Sequence, residues 1–192
     1  GYGRYPRVIT AFDLERGLHG GGGLADFLAS RGLDMGGGPK KVAFVQCVGS
    51  RDARGGQEYC SRICCMFSMR LAKLIRNELP DAEISVFYMD FQGAGKAPSE
   101  FRRYCEAEDH IRMVRSMPAE VKPIPSGDVP SRGVALCYED PVTGRVREEE
   151  FGLVVLAVGS LPGSDTRKLA ELFRVGLNED GFYKSAYRNE NS

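Results

Sequence analysis

The chain has 192 residues, and its 26 lysines and arginines balance 26 aspartates and glutamates. Such neutrality offers no bulk charge to draw in nucleic acid or an anionic membrane surface, and no window holds the ~18 apolar residues of a membrane helix. Six cysteines, bunched rather than spread, do not read as a secreted disulfide framework, and the N-terminus lacks the apolar core of a secretory signal.

A cytoplasmic, reducing setting is therefore expected. Neither end carries a closing element, so the chain reads as a slice of a larger protein. Residues 1–39 read as an N-terminal segment and linker. Val8–Thr10 suits a short strand or a lead-in, and Thr10 suits the cap of one or two helical turns through residue 18. The glycine run 20–23 invites a phosphate-cradle reading. A dinucleotide fingerprint needs a strand directly before it and spaced glycines, so a plain loop is preferred. Residues 24–30 form a short helix, and 31–39 a second glycine-rich linker.

Residues 40–162 carry the pattern of a Rossmann-like domain. Lys41–Val48 is an almost unbroken apolar run, as a strand buried on both faces should be. A helix is expected over 59–78, with Ile63, Phe67, Leu71, Leu74 and Ile75 facing the sheet and Pro80-Asp81 stopping it. A strand over 83–90 completes a βαβ unit with parallel pairing. A helix over 99–109 and a strand over 111–115 follow. Residues 120–124, 133–139 and 145–150 read as an antiparallel meander, and 151–158 as a buried internal strand. After a sharp exit at 159–163, a helix over 165–173 opens a C-terminal segment, 163–192. The order is α/β, a parallel sheet with an inserted meander. It resembles the pyridine-nucleotide domain of two-dinucleotide-binding flavoproteins such as thioredoxin reductase, and Leu156-Ala157-Val158-Gly159 resembles the return of such a domain to its flavin half. The glycine fingerprint that would hold pyrophosphate at the helix N-terminus is missing: Cys47-Val48-Gly49-Ser50 stands in its place. Asp90, where a ribose-binding carboxylate would sit, is read as a strand-end turn residue.

Four cysteines share this crevice, in the spacing C-x12-C-x3-C-C: Cys47, Cys60, Cys64 and Cys65. Ligands of open α/β sheets collect at the carboxyl ends of the strands. Cys60 and Cys64, four apart, would share one helical face, with Cys65 one step round. Thiolates at a helix N-terminus are favoured by its dipole, and Arg51, Arg54 and Arg62 add positive charge. The four thiols are read as ligands of a [4Fe–4S] cluster. Zinc is the weaker choice, because its thiolates usually come as two close pairs, and simple packing or redox thiols compete too. Cys105 and Cys137 stand alone as packing residues. His19 and His110 read as surface residues.

The phrases VAFVQCVGSRD, EYCSRICCMFSMRLAKLI, FYMD, GAGKAPSEFRRY, MPAEV and LVVLAVG closely resemble the A-subunit family of heterodisulfide reductase. The resemblance implies an iron–sulfur flavoprotein with a thioredoxin-reductase-like FAD fold. It puts the cluster ligands on Cys47, Cys60, Cys64 and Cys65, and a flavin contact near Gly159. The implied function is electron transfer between that [4Fe–4S] site and FAD within an oxidoreductase. The implied partners are other heterodisulfide reductase-type subunits and an electron donor of hydrogenase or formate dehydrogenase type, with a homodimer left open. The main flavin half and a ferredoxin-type cysteine run are not in this sequence. Two other readings remain: a partner-docking module with structural or zinc-loaded cysteines, and a nicotinamide-dependent disulfide reductase domain.

Overall fold

In the computed structural model, residues 1–33, 40–93, 95–124 and 133–185 are described. The elements run β1 (Val8–Thr10), α1 (Ala11–His19), α2 (Gly23–Ser30), β2 (Lys41–Val48), α3 (Cys64–Glu78), β3 (Glu83–Phe87), α4 (Lys96–Ala107), β4 (Arg112–Val114), β5 (Glu120–Pro123), β6 (Val134–Glu139), β7 (Val146–Phe151), β8 (Leu153–Val158) and α5 (Thr166–Phe173). Five strands form one parallel sheet in the order β1-β8-β2-β3-β4, and β5-β6-β7 form a separate antiparallel sheet. The mixed α/β class and the antiparallel meander are thus as the sequence indicates. Residues 34–39 of the second glycine-rich linker lie outside the described residues.

β2 sits at the centre because it is apolar on both faces. Val42 and Phe44 join Met69, Leu71 and Ile75 of α3 in one core. Ala43 and Val45 face the other way, into a second core with Leu136, Tyr138 and Phe151 of the meander. Alternation along a single strand therefore serves two cores at once. α1 begins where Thr10 accepts from the Asp13 N–H at 3.0 Å and Asp13 accepts from the Thr10 N–H at 3.0 Å, a reciprocal capping box. The segment 1–33 is part of the same unit as the central domain. β1 pairs with β8, and α1 and α2 pack beside α3. The chain divides into compact units 1–159 and 160–192. In the second unit, α5 ends on Arg174 in the left-handed conformation, and Leu177 bridges Tyr183.

Several boundaries differ from expectation. The helix read from residue 59 begins at Cys64. Arg62 has φ 60°, which a right-handed helix cannot contain. The Tyr59 carbonyl is also taken by the Arg51 N–H at 3.1 Å. Ile63, expected on the sheet face, is 46% exposed. The run 151–158 is two strands, not one. Phe151 stays in the meander, and Gly152 marks the change, its N–H donating to the Lys41 carbonyl at 2.9 Å. α4 starts at Lys96, with Pro98 inside its first turn, where a missing N–H costs nothing.

The two sheets are tied by Glu149 of β7. Its carboxylate accepts from Arg112 of β4 at 2.7 Å, Tyr138 of β6 at 2.8 Å and Lys41 of β2 at 3.3 Å. Burial disfavours its charge, but the bonds from Arg112, Tyr138 and Lys41 outweigh that and hold the carboxyl below its usual range. Glu149→Ala is expected to cost about 2 kcal/mol in urea unfolding, less than the roughly 3–5 of a fully buried charge pair, because Lys41 and Arg112 can regain water. A carboxylate with a depressed folded pKa stabilises above the unfolded value and loses that contribution as pH falls through the folded one. The gap between wild type and Glu149→Ala should therefore be full at neutral pH and close as the pH drops below about 4.

Candidate functional site

β2 ends at Cys47 on an unusual backbone. Cys47 has φ 57°, in the left-handed region that costs a non-glycine residue about 1–2 kcal/mol. The turn takes the chain out of regular pairing: β2 matches β8 through Val45 and again only at Val48. The following loop folds back on itself. Gln57 donates to the Gly49 carbonyl at 3.1 Å, Asp52 to that of Gln57 at 2.9 Å, and Arg51 to that of Tyr59 at 3.1 Å. Arg51 (φ 56°) and Arg62 (φ 60°) are left-handed as well, so three of the five such non-glycine residues among those described lie between 47 and 62. Strain of this kind gathers where function holds it in place.

Three of the four candidate cysteines come together. Cys47, Cys64 and Cys65 are 5%, 2% and 2% exposed and form one buried cluster with Ala157 of β8, flanked by Met89 and Phe91. The Cys64 sulfur is hydrogen-bonded to both the Cys47 and Cys65 thiols. Those bonds, helped by the Cys47 and Cys65 backbone N–H groups and opposed by burial, pull the Cys64 thiol down to about 3. Cys47 and Cys65 are pushed up, first because each shares its proton with Cys64 and next because each is buried. The three thiols thus share protons through Cys64, whose thiol is the most acidic of them. α3 has no side-chain cap at its N-terminus. Its first turn instead begins with these sulfurs, where the helix dipole favours negative charge.

The fourth cysteine stands differently. Cys60 is not on the helix, so the shared helical face expected for Cys60 and Cys64 does not exist. It lies in the loop before α3, half-buried, with its sulfur accepting from the Arg62 N–H at 3.3 Å. It is near enough to Cys65 to act on it electrostatically. Arg51 is held by Asp90 of the turn after β3, which also accepts from Gln92 Nε2 at 2.7 Å. Asp90 is thus the turn residue the sequence suggests. Gln92 carries no signal in the sequence, yet its N–H donates to the Cys65 sulfur at 3.4 Å. Cys105 is fully buried, its thiol pushed up to about 11 chiefly by burial, and the Cys137 thiol donates to Glu148 at 3.2 Å. His19 and His110 are exposed.

Gly159 closes the site from the β8 side. Its N–H donates to the Val48 carbonyl at 2.7 Å, and a Cβ there would meet the Ser50 Cβ at 3.1 Å and the Gly49 oxygen at 3.2 Å. Close approach of the loop is what demands glycine here.

Do these residues fit a metal group? Among the described residues, no three or more Cys, His, Asp or Glu side chains surround a space ready for a single metal ion. The sulfurs touch one another instead, so a bound group would have to part them. The donor set is nevertheless that of an iron–sulfur centre: four thiols, three of them joined by hydrogen bonds through Cys64. Around them are buried polar atoms with no hydrogen-bond partner among the described residues, on Gln46, Ser50 and Ser68. Chemistry and surroundings both fit a sulfur-ligated anionic group.

No family model matches the chain. Similar curated proteins do. It is 38% identical over 187 residues to the A subunit of the H(2):CoB-CoM heterodisulfide,ferredoxin reductase of Methanothermobacter thermautotrophicus, covering 97% of this chain and 27% of that protein. It is 37% identical over 187 residues to the second iron-sulfur A subunit of the CoB–CoM heterodisulfide reductase of Methanopyrus kandleri, covering 97% and 28%. It is 31% identical over 191 residues to the A subunit of the H(2)/formate:CoB-CoM heterodisulfide,ferredoxin reductase of Methanococcus maripaludis, covering 97% and 28%. Among solved structures, a thioredoxin reductase of Lactococcus lactis aligns at TM-score 0.42 and 16% identity over 76% of this chain and 39% of that one. An L-lysine 6-monooxygenase of Pseudomonas syringae aligns at TM-score 0.49 and 12% identity over 92% and 46%. The chain spans about a quarter of the length of the curated relatives named here. Over the stretch they share, its curated relatives are A subunits of heterodisulfide reductase, at 31–38% identity.

Proposed function

We propose that this chain is an electron-transfer segment of an iron–sulfur flavoprotein of the heterodisulfide reductase A-subunit type, an oxidoreductase. Cys47, Cys60, Cys64 and Cys65 are its ligands for a [4Fe–4S] cluster. The observation that carries the reading is the contact among Cys47, Cys64 and Cys65, which draws sulfurs from a strand end and a helix start into one buried cluster. The name of the Methanopyrus kandleri relative, which calls it an iron-sulfur subunit, supports it. A bound cluster supplies one-electron redox chemistry, passing electrons to or from an FAD held by parts of the larger protein outside this chain.

The chain's own residues do the rest. β2 and α3 fix three of the sulfurs. Ala157, Met89 and Phe91 keep water from them. Arg51, held near Cys47 by Asp90, and the N-terminus of α3 favour negative charge there. Gly159, at the end of β8, is placed toward the flavin in this reading. α5 leaves Leu172 and Phe173 about 70% exposed, which suits a C-terminal segment that meets the flavin half of the larger protein. The partners are the other subunits of the reductase and an electron donor of hydrogenase or formate dehydrogenase type. The setting is cytoplasmic. Among the described residues no helix is long and apolar enough to cross a membrane.

Anaerobic reconstitution with iron and sulfide should load about four irons per chain and give a broad visible absorption. Cys64→Ala combined with Cys65→Ala should abolish both. Equal loading in that variant, or none in the wild type, overturns the assignment. A zinc-only product under the same conditions favours a docking module instead.

Alkylation gives a second check. In the reduced, metal-free chain, iodoacetamide should reach half-buried Cys60 and Cys137 well before buried Cys47, Cys64, Cys65 and Cys105, as read by peptide mass spectrometry. Loading should then protect Cys60 and leave Cys137 as reactive as before.

A further inference from the structure

Four buried side-chain atoms lack a hydrogen-bond partner among the described residues: Gln46 Nε2, Gln46 Oε1, Ser50 Oγ and Ser68 Oγ. All three residues adjoin the cysteine site. Gln46 directly precedes Cys47 and is 0% exposed. Strand alternation puts it on the face of β2 that carries Val42 and Phe44, the face covered by α3. Ser68 lies one turn beyond Cys64 on the buried side of α3, also 0% exposed. Helix and strand thus each bring an unpaired polar group to the same interlayer space, beside the sulfurs.

Such groups are costly where they are. A buried amide with no partner loses its water and gains nothing in return. Everywhere else along this interface the residues are apolar: Val42, Phe44, Leu71, Ala72 and Ile75. A leucine or methionine at 46 and an alanine at 68 would serve packing better. The Gln46 N–H groups and the Ser68 O–H therefore call for an acceptor, and the acceptor chemistry at hand is anionic sulfur.

We propose that Gln46 and Ser68 donate N–H and O–H hydrogen bonds to the sulfur atoms of the inorganic core held by Cys47, Cys60, Cys64 and Cys65. This rests on reading those cysteines as cluster ligands. Donors to cluster sulfurs stabilise the more negative, reduced state and so raise the reduction potential. Gln46 supplies two N–H groups and Ser68 one O–H, so Gln46 carries the larger share.

The test compares the wild-type chain, Gln46→Met and Ser68→Ala after anaerobic loading. Iron content is measured first, then the midpoint potential by titration followed with electron paramagnetic resonance. Both variants should load iron as the wild type does. Both should show a more negative potential, with the larger shift in Gln46→Met. The metal-free Gln46→Met chain should melt at a higher temperature than the metal-free wild type, because an unpaired amide has gone. Full iron with an unchanged potential in both variants overturns the proposal and assigns the polar groups to internal water. Should Gln46→Met fail to fold, the potential of Ser68→Ala decides alone, since loss of one hydroxyl leaves the helix face intact. A wild-type chain that takes up no iron brings down the cluster reading itself, a result distinct from an unshifted potential.

Discussion

The site depends on the burial of β2. Both faces of this strand are covered, and both edges are paired, to β8 and to β3. A strand so enclosed can present chemistry only where it leaves the sheet. Cys47 is that point, and its left-handed backbone makes the exit abrupt. α3 must then return across the same strand to cover Val42 and Phe44. Its register is fixed by Met69, Leu71, Ala72 and Ile75, so its first turn falls beside the strand end. Cys64 and Cys65 meet Cys47 because packing further along the helix leaves them nowhere else to go.

Among the forces acting on the three thiols, proton sharing dominates. For Cys47, the bond to Cys64 comes first, burial second, and the charge of Arg51 last among the leading causes. Arg51 is paired with Asp90, and its charge lowers the Cys47 thiol through space. The helix N-terminus acts more directly, since the Cys65 N–H bonds the Cys64 sulfur. The arrangement tolerates one negative charge readily. A second within the same trio would face a like charge in a buried setting, where repulsion is strong.

Much of this is legible in the sequence, for identifiable reasons. Lys41–Val48 is apolar on both faces, and only a central parallel strand needs that. Thr10 and Asp13 state a capping box outright. The meander shows in regularly spaced strands broken by turn residues. What stays hidden depends on contacts far along the chain. Val8–Thr10 finds its place only by pairing with Val154–Leu156, and no local pattern announces that. The true start of α3 is masked because residues 59–63 have ordinary helical composition. Hydrogen bonding of the Tyr59 carbonyl to Arg51, and the left-handed Arg62, exclude them. With that, the i, i+4 argument for Cys60 has no basis. Gln92 reaches Cys65 through the turn after β3, a contact that no spacing rule contains. Gln46 does leave a mark, as the lone polar residue in the apolar stretch 42–48, but burial is needed to give it meaning.

The displacement of Cys60 from the helix bears on how the site could open. Cys47 is held by sheet bonds on its N-terminal side, and Cys64 and Cys65 by the helix they begin. Moving any of these sulfurs far would break regular hydrogen bonds or disturb a packed core, at a cost of several kcal/mol. Cys60 is on irregular backbone between a loop closed by its own hydrogen bonds and a left-handed residue, Arg62. Coordinated changes of φ and ψ in the irregular residues on both sides of Cys60 could shift its sulfur while β2 and α3 stay whole. A small rotation about χ1 at each of the other three would then part sulfurs that now touch. Three of the four thiols are thus anchored in regular structure, and the freedom to move lies with Cys60. Had Cys60 shared a helical face with Cys64, as the spacing alone suggests, it would have been anchored with them.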